Sequence, residues 1–158
     1  MIQIVKDADT RPWFFLQTAH TTYGMRVMET GHLEHLYYGE RITVDSQDPA
    51  SCAPLVIQRA FAPGNTCTYD REHPQISMED VCLEVGTLGK GDIREPFLEV
   101  RFADGSVTSD FTFDSYKIIT LKEREQCLQD SGLPHSYSEV ETDSAECLQI
   151  VLQDVTNH

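Results

Sequence analysis

Two histidines three residues apart, in Gly31-His32-Leu33-Glu34-His35, are the first side chains in this 158-residue sequence that could hold a metal ion. On a strand, residues three apart point to opposite faces, so this pair cannot close on one ion. A zinc site also needs more ligands than two. Both histidines therefore read as structural or surface groups, with neither metal nor cofactor expected. Carboxylates offer a second chemistry: two of them held roughly 5–5.5 Å or 6.5–9.5 Å apart can cleave a glycosidic bond. With 26 acidic residues in the chain, some pair will meet that spacing by chance. Glu79, Asp80, Glu84 and Asp92 cluster near loop glycines and read as structural. Asp92 and Arg94 are expected to tie a loop to the following hairpin through a hydrogen-bonded ion pair. Trp13, Tyr37, Tyr38 and Tyr69 could stack on sugar rings, although sheet core is the expected place for most of them. No H-E-x-x-H, P-loop or G-x-S-x-G pattern occurs, and Gly86, Gly89 and Gly91 depart from dinucleotide-binding spacing. No catalytic residue is assigned.

The elements that must position these residues read as strands. Ile2–Val5 suits an edge strand, Trp13–Gln17 a buried one after Pro12, Thr22–Glu29 an alternating one, and HLEHLYY a return strand ending at Gly39. Four strands in so short a span, with no helical periodicity between them, predict an antiparallel meander. Residues 45–75 are rich in Pro, Asp, Asn, Ser and Gly and read as loop around a short extended arm from Leu55 to Phe61. Asp104-Gly105 is a strong hairpin signal. A two-residue loop there pairs Ala103 with Ser106, Phe102 with Val107, Val100 with Ser109 and Leu98 with Phe111. It is preferred over a three-residue loop, which would set Leu98 against Asp110, a worse match for a half-buried face. The two-residue loop leaves Glu99 opposite Asp110 on a solvent-facing side. Tyr116–Leu121 extends or bends the second strand, Lys122–Asp130 reads as a helical turn broken at Gly132-Leu133-Pro134, and residues 145–155 alternate with Leu148, Ile150 and Leu152 on one face. The fold class is all-β: an antiparallel β-sandwich of two packed sheets in one domain, residues 1–158.

Charge and cysteine usage narrow the partners. A formal net charge of −14 opposes binding to nucleic acid or to anionic membranes and suits a neutral ligand or a protein partner. Five dispersed cysteines without a C-x-x-C pair fit neither a zinc ribbon nor a disulfide framework. Without a leader-like apolar segment or a long apolar run, the expected location is the cytoplasm.

Several pieces taken together resemble the N-terminal domain of glycoside hydrolase family 36 α-galactosidases. They are Gly31-His32-Leu33-Glu34-His35-Leu36-Tyr37-Tyr38-Gly39, Arg59-Ala60-Phe61 and Gly91-Asp92-Ile93-Arg94-Glu95-Pro96. The turn Asp104-Gly105-Ser106, the break Gly132-Leu133-Pro134 and the strand Leu148–Asp154 follow in that family's order and rough spacing. The resemblance implies a galactose-mutarotase-like supersandwich ahead of a catalytic (β/α)8 barrel. In that family the barrel supplies two aspartates for retaining hydrolysis of terminal α-galactosides of the melibiose and raffinose type. The barrel is absent from residues 1–158, and the sandwich reads as cut short, because the family's domain continues with strands past Asp154.

The implied role is that of scaffold and oligomer interface, with a loop leaning toward an active site. The implied partners are the barrel of the same polypeptide, further copies of it, and carbohydrate. Where the family often carries a sugar-contacting aspartate before Arg59, this chain has Gln58, which can donate and accept but offers no charge. Gln58 and Arg59 are thus the substrate-proximal candidates. Glu84 keeps its place in SMEDVCLEVGTLGKGD, although that run differs from the family's tyrosine-rich version. The alternatives are a stand-alone carbohydrate-binding module and a pure interaction module.

Overall fold

The computed structural model describes residues 1–57, 67–120, 123, 126 and 146–156. Four strands open the chain as a meander: β1 (Ile2–Lys6), β2 (Pro12–Gln17), β3 (Thr21–Val27) and β4 (Leu33–Glu40), hydrogen-bonded in that order and antiparallel throughout. The expected strands and their order match these elements. The run Trp13-Phe14-Phe15 does not alternate because β2 is covered on both faces, and Phe14 and Phe15 are each 0% exposed while pointing to opposite sides.

On one face Val5, Trp13, Phe15 and Cys52 form a core joined by Leu55 and Val56. The segment carrying Cys52 is a 3-10 helix, Pro49–Leu55. Asp48 caps its start by accepting from the Ala50 N–H, and Pro stands in the first turn, where its missing donor costs nothing. It occupies ground expected to be loop. Of the arm expected from Leu55 to Phe61, the part beyond Ile57 lies outside the described residues, as do most of the helical turn expected over residues 122–130 and the Gly132-Leu133-Pro134 break.

On the other face Phe14, Val27 and Leu33 meet a second sheet, β5 (Phe111–Thr120) paired antiparallel with β6 (Glu146–Asp154). Leu148, Ile150 and Leu152 supply the contact face of β6, as their alternation predicts, and Phe113 and Tyr116 supply that of β5. Phe14 sits edge-on to Tyr116 with ring centroids 5.1 Å apart. The two sheets are also joined through the backbone, where the Phe113 N–H donates to the Gly31 carbonyl at 2.7 Å. Gly31 has φ +84°, and a Cβ there would stand 3.1 Å from the Thr112 Cβ, so both backbone conformation and space call for glycine.

The Asp104-Gly105 turn forms with a different register from the expected one. The Gly105 N–H donates to the Phe102 carbonyl and the Phe102 N–H to the Ser106 carbonyl, so the loop has three residues and Gly105, at φ +88°, takes the left-handed position. Asp104 is not left-handed, which rules out a type I′ turn, and its carboxylate instead accepts from the Ser106 N–H. The limbs do not continue as a ladder. Phe97 and Leu98 donate to the Gly86 carbonyl and Ser109 donates to the Leu88 carbonyl, so both limbs spend their donors on the 86–88 turn. The expected partnership of Leu98 with Phe111 is replaced by Phe111 opposite Asp154. Asp110, expected at the solvent, is 1% exposed.

Candidate functional site

The buried carboxylates mark where polar chemistry is concentrated. Asp110 enters the interior just ahead of β5, and its backbone N–H is held by the Asp154 carboxylate at 3.0 Å. Its Oδ1 takes the His32 Nε2 at 2.7 Å, and its Oδ2 takes the Tyr69 hydroxyl at 2.9 Å with the Lys90 Nζ 3.3 Å away. Thr30 holds the other ring nitrogen of His32 at 2.9 Å. His32 and Tyr69 meet edge to face at 4.9 Å, and Lys90 lies 5.3 Å from the centre of the Tyr69 ring. Burial pushes the Asp110 carboxyl up, but the His32 bond, the Tyr69 bond and the nearby Lys90 charge outweigh it and hold the group below the ordinary carboxylate range. Burial and the Asp110 acceptor push the Tyr69 phenol well up, so it remains a donor.

Glu84 is a second hub. It accepts from the Tyr23 hydroxyl at 2.5 Å and meets the His35 Nδ1 at 3.0 Å. A third fixture is the Asp92–Arg94 pair, in which Nε and Nη2 of Arg94 donate to the two carboxylate oxygens at 2.8 Å each. The same Nη2 reaches the Met78 and Val81 carbonyls at 3.0 and 2.6 Å, which ties the 92–94 loop to the short 3-10 turn Met78–Asp80. The Arg94 bond holds the Asp92 carboxyl down against its burial.

These groups are spent on one another. A general acid or nucleophile must touch the reacting atoms, and Asp110 has a donor on each oxygen and almost no exposure. His32, just ahead of β4, and His35, within it, serve different carboxylates, and no group of metal-ligating side chains occurs among the described residues. Trp13 is buried, and Tyr69 belongs to the Asp110 cluster. Gln58 and Arg59 lie outside the described residues. Sequence reasoning missed Asp110 because nothing local marks it: its His32 partner is 78 positions away.

A cavity of about 320 Å3 opens at the end of the first sheet, where the β1–β2 and β3–β4 turns meet the 75–81 segment and Ile57. Asp7, Arg11, Arg26, Glu29, Gln75 and Asp80 give it polar groups, and Val27, Met28, Val56, Ile57, Ile76 and Val81 an apolar floor. Arg26 is held there by a row across the sheet. It lies opposite Trp13 on one side, with its guanidinium 5.3 Å from the indole centre, and opposite Glu34 on the other, at 2.8 Å.

Comparison with known proteins places this architecture. Residues 31–158 match the family described as the glycosyl hydrolase family 36 N-terminal domain. The chain is similar to the bifunctional alpha-galactosidase/sucrose kinase AgaSK of Mediterraneibacter gnavus, 34% identical over 142 residues, which is 89% of this chain and 14% of that protein. It is similar to the alpha-galactosidase AgaA of Geobacillus stearothermophilus, 32% identical over 141 residues, 89% of this chain and 18% of that protein. Among solved structures, the alpha-galactosidase from Lactobacillus brevis superposes with a TM-score of 0.72 at 29% identity, over 96% of this chain and 19% of that one. The galactosidase domain of AgaSK also gives 0.72, at 30% identity, over 97% of this chain and 19% of that one. The chain thus spans less than a fifth of each of these relatives. On sequence and on fold together, the chain belongs to the glycosyl hydrolase family 36 N-terminal domain family.

Proposed function

We propose that this chain is the non-catalytic front domain of an α-galactosidase that hydrolyses terminal α-galactosides of the melibiose and raffinose type with retention. The observation that carries the reading is the match of residues 31–158 to the family's N-terminal domain, within relatives that are several times longer. Solved structures of AgaA, which this chain resembles, hold raffinose and stachyose, and these point to the substrate class. Asp110, buried, and Glu84, half-buried, support a scaffold role, because each is occupied by neighbours within the domain. In this reading the catalytic aspartates stand on a barrel of the same polypeptide. The domain also builds a homo-oligomer and lends the loop with Gln58 and Arg59 to the sugar, so carbohydrate is a partner and the setting is the cytoplasm. No helix among the described residues is long and apolar enough to cross a membrane.

The test is made on the whole polypeptide. Removing residues 1–158 is expected to abolish hydrolysis of raffinose and to dissociate the oligomer in sedimentation. Arg59→Ala alone is expected to raise KM while the assembly persists. Full activity and unchanged assembly after the deletion would overturn the reading.

A further inference from the structure

Residues 91–107 form an arm whose apolar side chains belong to neither core cluster. Leu98, Val100, Phe102 and Val107 follow the spacing of a half-buried face, yet Leu98 and Val107 are exposed. On the same arm Ile93 is 86% and Phe97 77% exposed. A single exposed apolar residue says little, whereas several on one element mark a contact surface. The exposure is not that of a frayed loop. Arg94 is fixed on the Asp92 carboxylate and on the Met78 and Val81 carbonyls, and Pro96 restrains the backbone after it. The Phe97 and Leu98 N–H groups donate to the Gly86 carbonyl, and Ser109, just past the arm, donates to the Leu88 carbonyl. A surface held in place beforehand loses little further freedom when a partner covers it.

The path of the chain out of the domain decides the occupant. After β6 the Val155 N–H donates to the Asp110 carbonyl at 2.9 Å, and the Thr156 hydroxyl lies 3.3 Å from the Thr108 carbonyl. The backbone therefore departs along residues 108–110, which continue directly from the arm, and Val155 is itself exposed. The family matched is an N-terminal domain, and the relatives are several times longer than this chain. A segment tethered at Thr156 would meet the arm at an effective concentration on the order of millimolar, an advantage that an untethered protein lacks. We propose that residues 91–107 are the docking surface for the polypeptide that follows this domain, with Ile93, Phe97 and Leu98 as its apolar anchors. The proposal deepens the reading above and rests on it for the longer polypeptide.

Phe97→Cys and Ile93→Cys each place a thiol at an exposed position of the arm that supports neither core. In the 158-residue chain both thiols are expected to react with a maleimide as fast as the same thiol in a short peptide, with peptide mass mapping to separate them from the native cysteines. In the whole polypeptide each is expected to react at least about tenfold more slowly, because the docked segment must open first. A benzophenone maleimide attached at the same cysteine is expected, on irradiation, to cross-link within one chain to a residue beyond position 158. Two positions are used so that a folding defect in one variant, read by circular dichroism, leaves the other to decide. Equal labelling rates in the two proteins would overturn the proposal. A cross-linked product with the mass of two chains would overturn it as well, since a second copy then occupies the arm, and so would slow labelling already present in the 158-residue chain. Raffinose hydrolysis is read separately. An active polypeptide with a freely reactive arm overturns the docking and leaves the activity standing, and an inactive one with a protected arm does the reverse.

Discussion

Asp110 shows how a single carboxylate organises this domain. It gathers His32 from just ahead of β4, Tyr69 from the loop after the 3-10 segment and Lys90 from the glycine-rich turn, three stretches far apart in the chain. Asp110→Asn keeps the shape and removes the charge, and it is expected to destabilise the fold by about 3 kcal/mol in urea unfolding, the cost of leaving partners of a buried ionic group unmatched. The pH dependence follows from the direction of the shift. A carboxyl held lower in the folded chain than in the unfolded one adds stability that is present above the unfolded value, about 3.9, and is lost as pH falls through the depressed folded value. The parent should therefore lose stability through the acid range more steeply than Asp110→Asn. Identical acid limbs in the two proteins would refute this role.

The opening meander and β6 were legible, whereas the limbs expected to pair on either side of Asp104-Gly105 form no strands and most polar fastenings could not be read. Period-two alternation marks β3 and β6 in the residues themselves, and the Trp13-Phe14-Phe15 run marks a strand with two dry faces. The Asp104-Gly105 pair announces a turn, yet the three-residue loop depends on where the limbs send their donors. The Gly86–Leu88 turn receives them, which no feature within residues 91–113 encodes. Asp110 itself and the partners of Glu84, which was read as structural, were hidden for the same reason, since each hub joins segments dozens of residues apart. The Asp92–Arg94 spacing, being local, could be read directly, though its anchor on the Met78 and Val81 carbonyls could not. Two substitutions probe the joint between the sheets. Phe14→Ala should cost about 4 kcal/mol, because it empties the position against which both sheets pack. Gly31→Ala should cost about 1–2 kcal/mol, through its left-handed backbone and the crowding at Thr112. Calorimetric melting of both variants checks this, and a Phe14→Ala midpoint within error of the parent would contradict the two-sheet core.

For the molecule as a whole, the proposed role is to build and brace rather than to react. Asp110 is buried and Glu84 and Asp92 are half-buried, each is paired within the domain, and the relatives are several times longer than this chain. A formal net charge of −14 opposes binding to nucleic acid, in keeping with the neutral sugar and protein contacts proposed above. The direct test is hydrolysis of an aryl α-galactoside by the purified 158-residue chain alone. Release indistinguishable from buffer at any pH is the expected result. Turnover that follows the chain through successive purifications and falls with Asp110→Asn or a Glu84 substitution would contradict it.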